Sequence, residues 1–289
     1  MTAKTQAKYY SDYYDRCMLF GEEPLFDDFE LELYHTVVKQ IGIKKWTGKG
    51  DVAVIPDFIS FVNPAAFREA QHIKVVDFSY AKQITQFAVD FRHHINLEQV
   101  IFGDNITHIC NDTLSGTSIK DITIGNKTKE IGERAFLNCK DLTHIKFKRK
   151  SVLTRIGVQA FMGTGIKELL LPPSVERLHS RSFCDCANLE RVVVNSSLVH
   201  LSKSVFEHCT NLKELDLRKA AGMRNVPEYL CYGCTNLETV RLNHNAKLVA
   251  DYVFVGCDNL KKVSYGENTV IHFTNHGWVT GTTSLISES

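Results

Sequence analysis

One unit recurs nine times between Val62 and Tyr265, and a chain written that way can bury its apolar groups only by stacking each copy on the next. The copies align on Phe67, Phe91, Leu114, Phe136, Phe161, Phe183, Phe206, Cys231 and Phe254, with spacings of 24, 23, 22, 25, 22, 23, 25 and 23 residues. Five residues before each of these anchors stands an aliphatic residue (Val62, Ile109, Ile131, Ile156, Leu178, Leu201, Val226 and Val249), with Gln86 as the exception. Three further apolar positions follow each anchor, for example Leu142, Ile145 and Phe147 in the fourth copy and Leu212, Leu215 and Leu217 in the seventh. Ser115-Gly-Thr117 and Gly163-Thr-Gly165 shorten the turn by one residue, after which the register resumes.

The spacing Leu-x-x-Leu-x-Leu puts its last two apolar residues on one face of a strand and the residue between them on the other. Stacked copies then form a parallel sheet, with the remaining apolar positions turning inward from a return arm. Each coil contributes about five core groups that it cannot cover alone, so the expected body is an elongated solenoid of about nine to ten coils.

The run Ile131-Gly-Glu-Arg-Ala-Phe136-Leu-Asn-Cys139-Lys-Asp-Leu142-Thr-His-Ile145, echoed by Ile156-Gly-Val-Gln-Ala-Phe161 and Phe206-Glu-His-Cys209-Thr-Asn-Leu212, resembles the BspA-like leucine-rich repeats. The likeness is dense from Ile109 to Tyr265, looser from Val52 to Phe102 and absent up to about Gly50. It implies a leucine-rich repeat solenoid of the α/β class, mostly short parallel strands joined by turns. It also implies an adaptable binding or surface scaffold with no shared catalytic residues.

With 44% hydrophobic residues, 23% charged residues and a formal net charge of +1, the chain lacks the basic excess of a general nucleic-acid binder. No apolar run approaches the ~20 residues that cross a bilayer, and the N-terminus lacks the apolar core of a secretory signal, so no membrane insertion and a cytoplasmic or assembly-associated location are expected. The Asn-x-Ser/Thr triplets at Asn105, Asn111, Asn126 and Asn195 are accordingly expected to stay unmodified.

Nine cysteines raise the question of disulfides or metal. Cys139, Cys186, Cys209, Cys234 and Cys257 all fall three residues after an anchor, where other copies carry Ala70, His94, Thr117 and Thr164. A small buried thiol suits that slot. Cys231-x-x-Cys234 with Cys184 and Cys186 gives four sulfurs, but two coils of separation is roughly 10 Å at strand spacing, whereas zinc holds each sulfur at ~2.3 Å. No metal, cofactor or catalytic set is expected, and a reducing compartment is. His93-His94, His272 with His276, and Gly163-Thr-Gly-Ile-Lys167 lack the context that would make them ligands or a phosphate loop.

The ends depart from the repeat. Phe29, Leu33, Val37 and Ile41 recur every four positions between Asp28 and Gly42, which predicts an amphipathic helix lidding the first coil. Tyr9, Tyr10, Tyr13, Tyr14 and Phe20 precede it and either pack on that cap or dock onto a partner. Val270, Ile271, Phe273, Trp278 and Val279 are expected to cover the last coil, and the tail from Gly281 to Ser289 is expected to be loose. The organisation read here is therefore a capping segment over 1–50, repeats over 51–267 and a C-terminal cap and tail over 268–289.

The residue between the two inward strand positions faces outward in every coil: Asp77, Ile101, Thr123, Lys146, Leu170, Val193, Asp216, Arg241 and Ser264. Within Lys146, Leu170, Val193, Asp216 and Arg241, two apolar groups lie between charges, the make-up of a protein-binding patch. The expected function is a non-enzymatic interaction module that holds a protein partner on its concave sheet. The alternative is a structural component of a larger assembly, a virion or surface layer, that contacts its neighbours through caps and flanks.

Overall fold

The computed structural model describes residues 3–20, 26–35, 40–194, 197–220, 222–271 and 283–288. Over these the chain is a solenoid of about ten coils with mostly parallel strands and one N-terminal helix, α1 (Ala3–Phe20). Each coil has three sides. The longer strands occupy the first: β1 (Val52–Val54), β2 (Val75–Asp77), β3 (Gln99–Ile101), β4 (Asp121–Ile124), β5 (His144–Phe147), β6 (Glu168–Leu170), β7 (Arg191–Val193), β8 (Glu214–Asp216), β9 (Thr239–Arg241), β10 (Lys262–Gly266) and β11 (Ser284–Glu288). Two-residue strands such as Glu130–Ile131, Arg155–Ile156 and Arg177–Leu178 form the second side, and from Gln86–Phe87 to His200–Leu201 they pair without interruption.

The third side is the turn arm that carries the anchors. Here alternate N–H groups of one coil donate to carbonyls of the next: Arg134 to Val158 at 2.9 Å, Phe136 to Ala160 at 2.8 Å and Asn138 to Met162 at 2.8 Å. The arm achieves this by taking left-handed φ two residues before the anchor (Arg134, Gln159, Arg181) and two after it (Asn138, Asp185, His208, or Gly163 and Gly256). Such φ values cost a non-glycine residue ~1–2 kcal/mol, so the arm holds its shape only because the neighbouring coil pairs with it.

Inside, the anchors stack ring on ring: Phe136 on Phe161 at 4.9 Å, Phe161 on Phe183 at 5.3 Å and Phe183 on Phe206 at 6.1 Å, the first two pairs nearly parallel. Trp46 starts the column, 5.4 Å from Phe67. The inward strand residues form a second column, Leu169, Val192, Leu215, Val240 and Val263, each paired in register with the next. In the coil of Phe91 the exceptional Gln86 is exposed, and Phe87 fills the buried slot and pairs with Ile109.

The N-terminal expectation needs correction. The described residues between Asp28 and Ile41 do not form a helix: Phe29–His35 and Gln40–Trp46 are antiparallel strands, and the second pairs in parallel with Phe61–Val62. An apolar residue every fourth position fits a strand of period two as well as a helix of period 3.6. Leu31 and Ile43, packed at the intervening places, decide for the strand. Gly42 is no helix stop, since a Cβ there would meet Phe61 Cδ1 at 2.9 Å; Val37 lies outside the described residues. The cap is instead α1, which buries Ala7, Tyr10 and Cys17. Tyr10 meets the rings of Phe26 and Phe29 edge-on and donates to Asp28, and Tyr14 stacks on Phe58 at 4.3 Å.

At the other end the loose tail is likewise corrected. β11 pairs in parallel with β10, setting Leu285 beside Val263, while Val270–Ile271 pairs with Leu248–Val249. Coil stacking therefore reaches back to Gln40 and forward to Glu288 among the described residues. Phe273, Trp278 and Val279 lie outside them.

Because each coil is held by its neighbours, Phe161→Ala is expected to cost about 3–5 kcal/mol and to speed amide exchange most in the coils of Phe136 and Phe183. Exchange that accelerates equally in all coils, or in none, contradicts nearest-neighbour stability.

Candidate functional site

Along β4 to β9 the side chains alternate between core and solvent, so Asp121/Thr123, His144/Lys146, Glu168/Leu170, Arg191/Val193, Glu214/Asp216 and Thr239/Arg241 form two outward rows. The pairing register puts Leu170 beside Val193, Val193 beside Asp216 and Asp216 beside Arg241. Four of the five residues singled out in the sequence are thus consecutive neighbours. Leu170 is 51% exposed although it is apolar, and Val193 is half-buried.

Charge pairs frame these two residues. Arg191 bonds Glu168 at 2.6 Å, and Arg241 pairs with Glu214. Arg218 holds the Asp216 carboxylate, which lowers its pKa and keeps the group ionised. Val193 and Asp216 open onto a shallow depression of about 860 Å³ that also takes in Lys213, Arg218 and Lys219. Of the three remaining outward positions Ile101 is half-buried, but two behave differently: Asp77 is buried and accepts from the N–H of Ser79, and Ser264 is fully buried. Neither belongs to an open face.

The fifth residue, Lys146, is separated from the others by a seam. β4 pairs with β5 and β6 begins a new ladder, with no strand pairing between β5 and β6. Backbone chemistry contributes to the break. Lys148 N–H extends the pairing of β5 by donating to Ile124 O at 3.0 Å, but the matching place one coil on is Pro172, which has no N–H. The seam is a cleft of about 880 Å³ walled by β5, the loop 148–151, Leu170 and Pro172 to Ser174. Ile145 and Phe147, whose equivalents Ile122, Ile124, Leu169 and Leu171 are buried, are only partly covered. Sequence reasoning missed this cleft. Its signals were the 25-residue spacing from Phe136 to Phe161 and the pair Pro172-Pro173.

The BspA type leucine rich repeat region model matches six copies, over residues 60–186 and 154–276. The chain belongs to the BspA-type leucine-rich repeat family. Among solved structures, a leucine rich cell surface protein of Faecalibacterium prausnitzii is similar at 17% identity and a TM-score of 0.44, over 85% of this chain and 96% of that one. A T. pallidum leucine rich repeat protein is similar at 19% identity and a TM-score of 0.40, over 85% of this chain and 86% of that one. No curated protein matches at a significant level.

Within this BspA-type frame the position three residues after the anchor has a chemical role beyond size. The thiols of Cys139, Cys186, Cys209, Cys234 and Cys257 donate to the carbonyls of Leu114, Phe161, Phe183, Phe206 and Cys231, the anchors of the preceding coils, at 3.0–3.2 Å. His94 does the same with Nε2, 2.9 Å from Phe67 O, and a carbonyl only accepts, so that nitrogen carries the hydrogen. Thr117 and Thr164 donate to the carbonyl of their own anchor at 2.8 and 2.9 Å. The slot holds a side-chain donor in eight of the nine copies, Ala70 being the exception, a rule legible in its Cys, Thr and His content. All nine cysteines are free, and among the described residues no group of three or more His, Cys, Asp or Glu is placed to hold a metal. His272 and His276 lie outside the described residues. The short turn at Gly163 follows from packing: φ is +71°, and a Cβ would collide with Asn138 Oδ1. No described helix is long and apolar enough to cross a membrane.

Burial pushes the thiols of Cys139 and Cys186 up to about 11, against 9.0 for a free thiol. A raised folded-state pKa gives stability that is whole below pH 9.0 and lost as pH climbs through about 11. Urea midpoints are therefore expected to fall between about pH 8 and about pH 10.5, and Cys139→Thr with Cys186→Thr, which keeps a donor, is expected to flatten the decline. Rapid native-state labelling of these thiols, or a midpoint indifferent to pH, contradicts the buried-donor role.

Proposed function

We propose that this chain is a protein-interaction module that holds a partner against the outward face of β6 to β9, the concave sheet of the repeat. The observation that carries the proposal is Leu170, half-exposed beside Val193 and framed by the ion pairs of Arg191 with Glu168 and Arg241 with Glu214. An apolar centre with a charged rim is the anatomy of a protein interface, and the repeat dictates neither identity, because both side chains point away from the core. Membership of a repeat family whose sheets serve as scaffolds supports the same reading. The titratable groups of this face are tied up in ion pairs and do not converge on one point, so no catalytic role is proposed. Nine free thiols support work in a reducing compartment.

The assembly reading rests on the N-terminal aromatics. α1 spends most of them on its own coil: Tyr10 is 5% exposed and Tyr14 stacks on Phe58. Tyr9, 52% exposed, is the group left to test.

Leu170→Glu combined with Val193→Glu is expected to leave folding intact and weaken a partner captured on the wild-type chain by at least about 30-fold, the effect of a lost ~2 kcal/mol hot spot. Tyr9→Ala is expected to leave that affinity unchanged. Titrating both variants against the same partner decides: a double variant that binds normally ends the sheet-face proposal, and loss on Tyr9→Ala alone transfers the function to the cap.

A further inference from the structure

The seam between β5 and β6 has two properties that a simple gap in a repeat does not need. It leaves main-chain edges of two strands without a ladder partner, and it leaves two core residues, Ile145 and Phe147, partly uncovered. A strand laid between β5 and β6 would meet both at once: its main chain would pair with the open edges, its inward side chains would complete the cover over Ile145 and Phe147, and its outward side chains would lie beside Lys146 and Leu170. At about 880 Å³ the cleft is within the usual ~300–1,000 Å³ of a ligand site.

The charge of the walls fixes the chemistry of that strand. Lys146, Lys148, Arg149 and Lys150 all border the cleft. Asp104 pairs with Lys148 and Asp121 with His144, whereas Lys146, Arg149 and Lys150 form no ion pair among the described residues. Three uncompensated cations thus stand over an apolar floor that continues through Leu170 and Pro172. Resting on the reading of this face as a binding surface, we infer that the seam takes an extended acidic peptide segment of a partner, with apolar side chains alternating with carboxylates, as an added strand between β5 and β6. Apolar residues at every second place face the core, and the carboxylates between them face the basic rim. The rest of the partner extends over Leu170 towards Val193.

The probe is a fluorescein-labelled heptapeptide, Glu-Val-Glu-Leu-Glu-Val-Glu, titrated with the full chain by fluorescence anisotropy. Saturable binding is expected. It should weaken at least about tenfold on Lys146→Glu with Arg149→Glu and Lys150→Glu, a loss of about 1.4 kcal/mol, and these exposed substitutions leave the thermal melt in place. Binding should also vanish when alternate peptide nitrogens are methylated, because strand addition needs those donors. Equal binding of hepta-glutamate, or indifference to methylation, shows a plain charge effect and overturns the inference. Equal binding of the Lys-Val-Lys-Leu-Lys-Val-Lys peptide does the same. Concentration-dependent dimerisation without peptide binding assigns the seam to a second copy and also overturns it. If a captured partner is lost on Leu170→Glu with Val193→Glu while the peptide never binds, the seam inference fails and the module reading stands. Peptide binding with no partner sensitive to that double variant gives the reverse.

Discussion

The carbonyl of each anchor residue lies buried between two coils, and the fold depends on that carbonyl being satisfied. An unmet buried carbonyl costs about as much as a lost hydrogen bond, ~1–3 kcal/mol, repeated at every coil. Most anchor carbonyls accept the backbone N–H three residues on in the same turn, and six of the nine also accept a side-chain donor from the following coil: His94 on Phe67, and five thiols on Leu114, Phe161, Phe183, Phe206 and Cys231, joined in two coils by a threonine hydroxyl from the same turn. The contact has one register, so it also aligns the anchor rings above it and the arm beside it. The left-handed residues of the arm and the shortened turn at Gly163 make sense only in that register, where alternate N–H groups reach the next coil. Stacking is thus at once the source of stability and the device that fixes geometry.

A solenoid fastened on three sides can release one of them locally. Around β5 and β6 the arm still bonds Phe136 to Ala160, and Glu130–Ile131 still pairs with Arg155–Ile156. The longer-strand side alone opens. Pro172-Pro173 removes donors from one wall of the gap and the insertion carrying Lys148, Arg149 and Lys150 lengthens the other. Next to the gap the outward face turns apolar at Leu170 and Val193 before charge pairs close it again at Glu214 and Arg241. Seam and patch share Leu170, so a partner strand in one continues naturally onto the other.

The repeat itself was legible because the anchor, the inward aliphatics and the outward residues keep their spacing through nine copies. So were the outward positions of Lys146, Leu170, Val193, Asp216 and Arg241, which follow from strand alternation alone. The N-terminus misled, since Phe29, Leu33 and Ile41 fit both periods and only Leu31 and Ile43 separate them. The real helix carried its own signal: Ala7, Tyr10, Tyr14 and Cys17 recur at three and four residues, the inner face of α1. Ser284–Glu288 was hidden because a five-residue strand with one fully apolar pair owes its place to the β10 edge beside it rather than to propensity. The seam was hidden for the opposite reason. Ile145 and Phe147 obey the repeat perfectly, and only the long spacing to Phe161 and the absence of donors at Pro172-Pro173 one coil later mark where the pairing stops.

Native-state amide exchange across the wild-type chain tests the account most directly, because it reads coil stacking and the opening between β5 and β6 together. The account predicts high protection along Ile131, Ile156 and Leu178 and through β7 to β9, with a sharp minimum at the facing edges of β5 and β6. Protection in β5 and β6 equal to that of β7 to β9 would contradict it, since the seam would then be closed. A minimum spreading into Ile131 and Ile156 would contradict it as well, since the coils would be parting on every side.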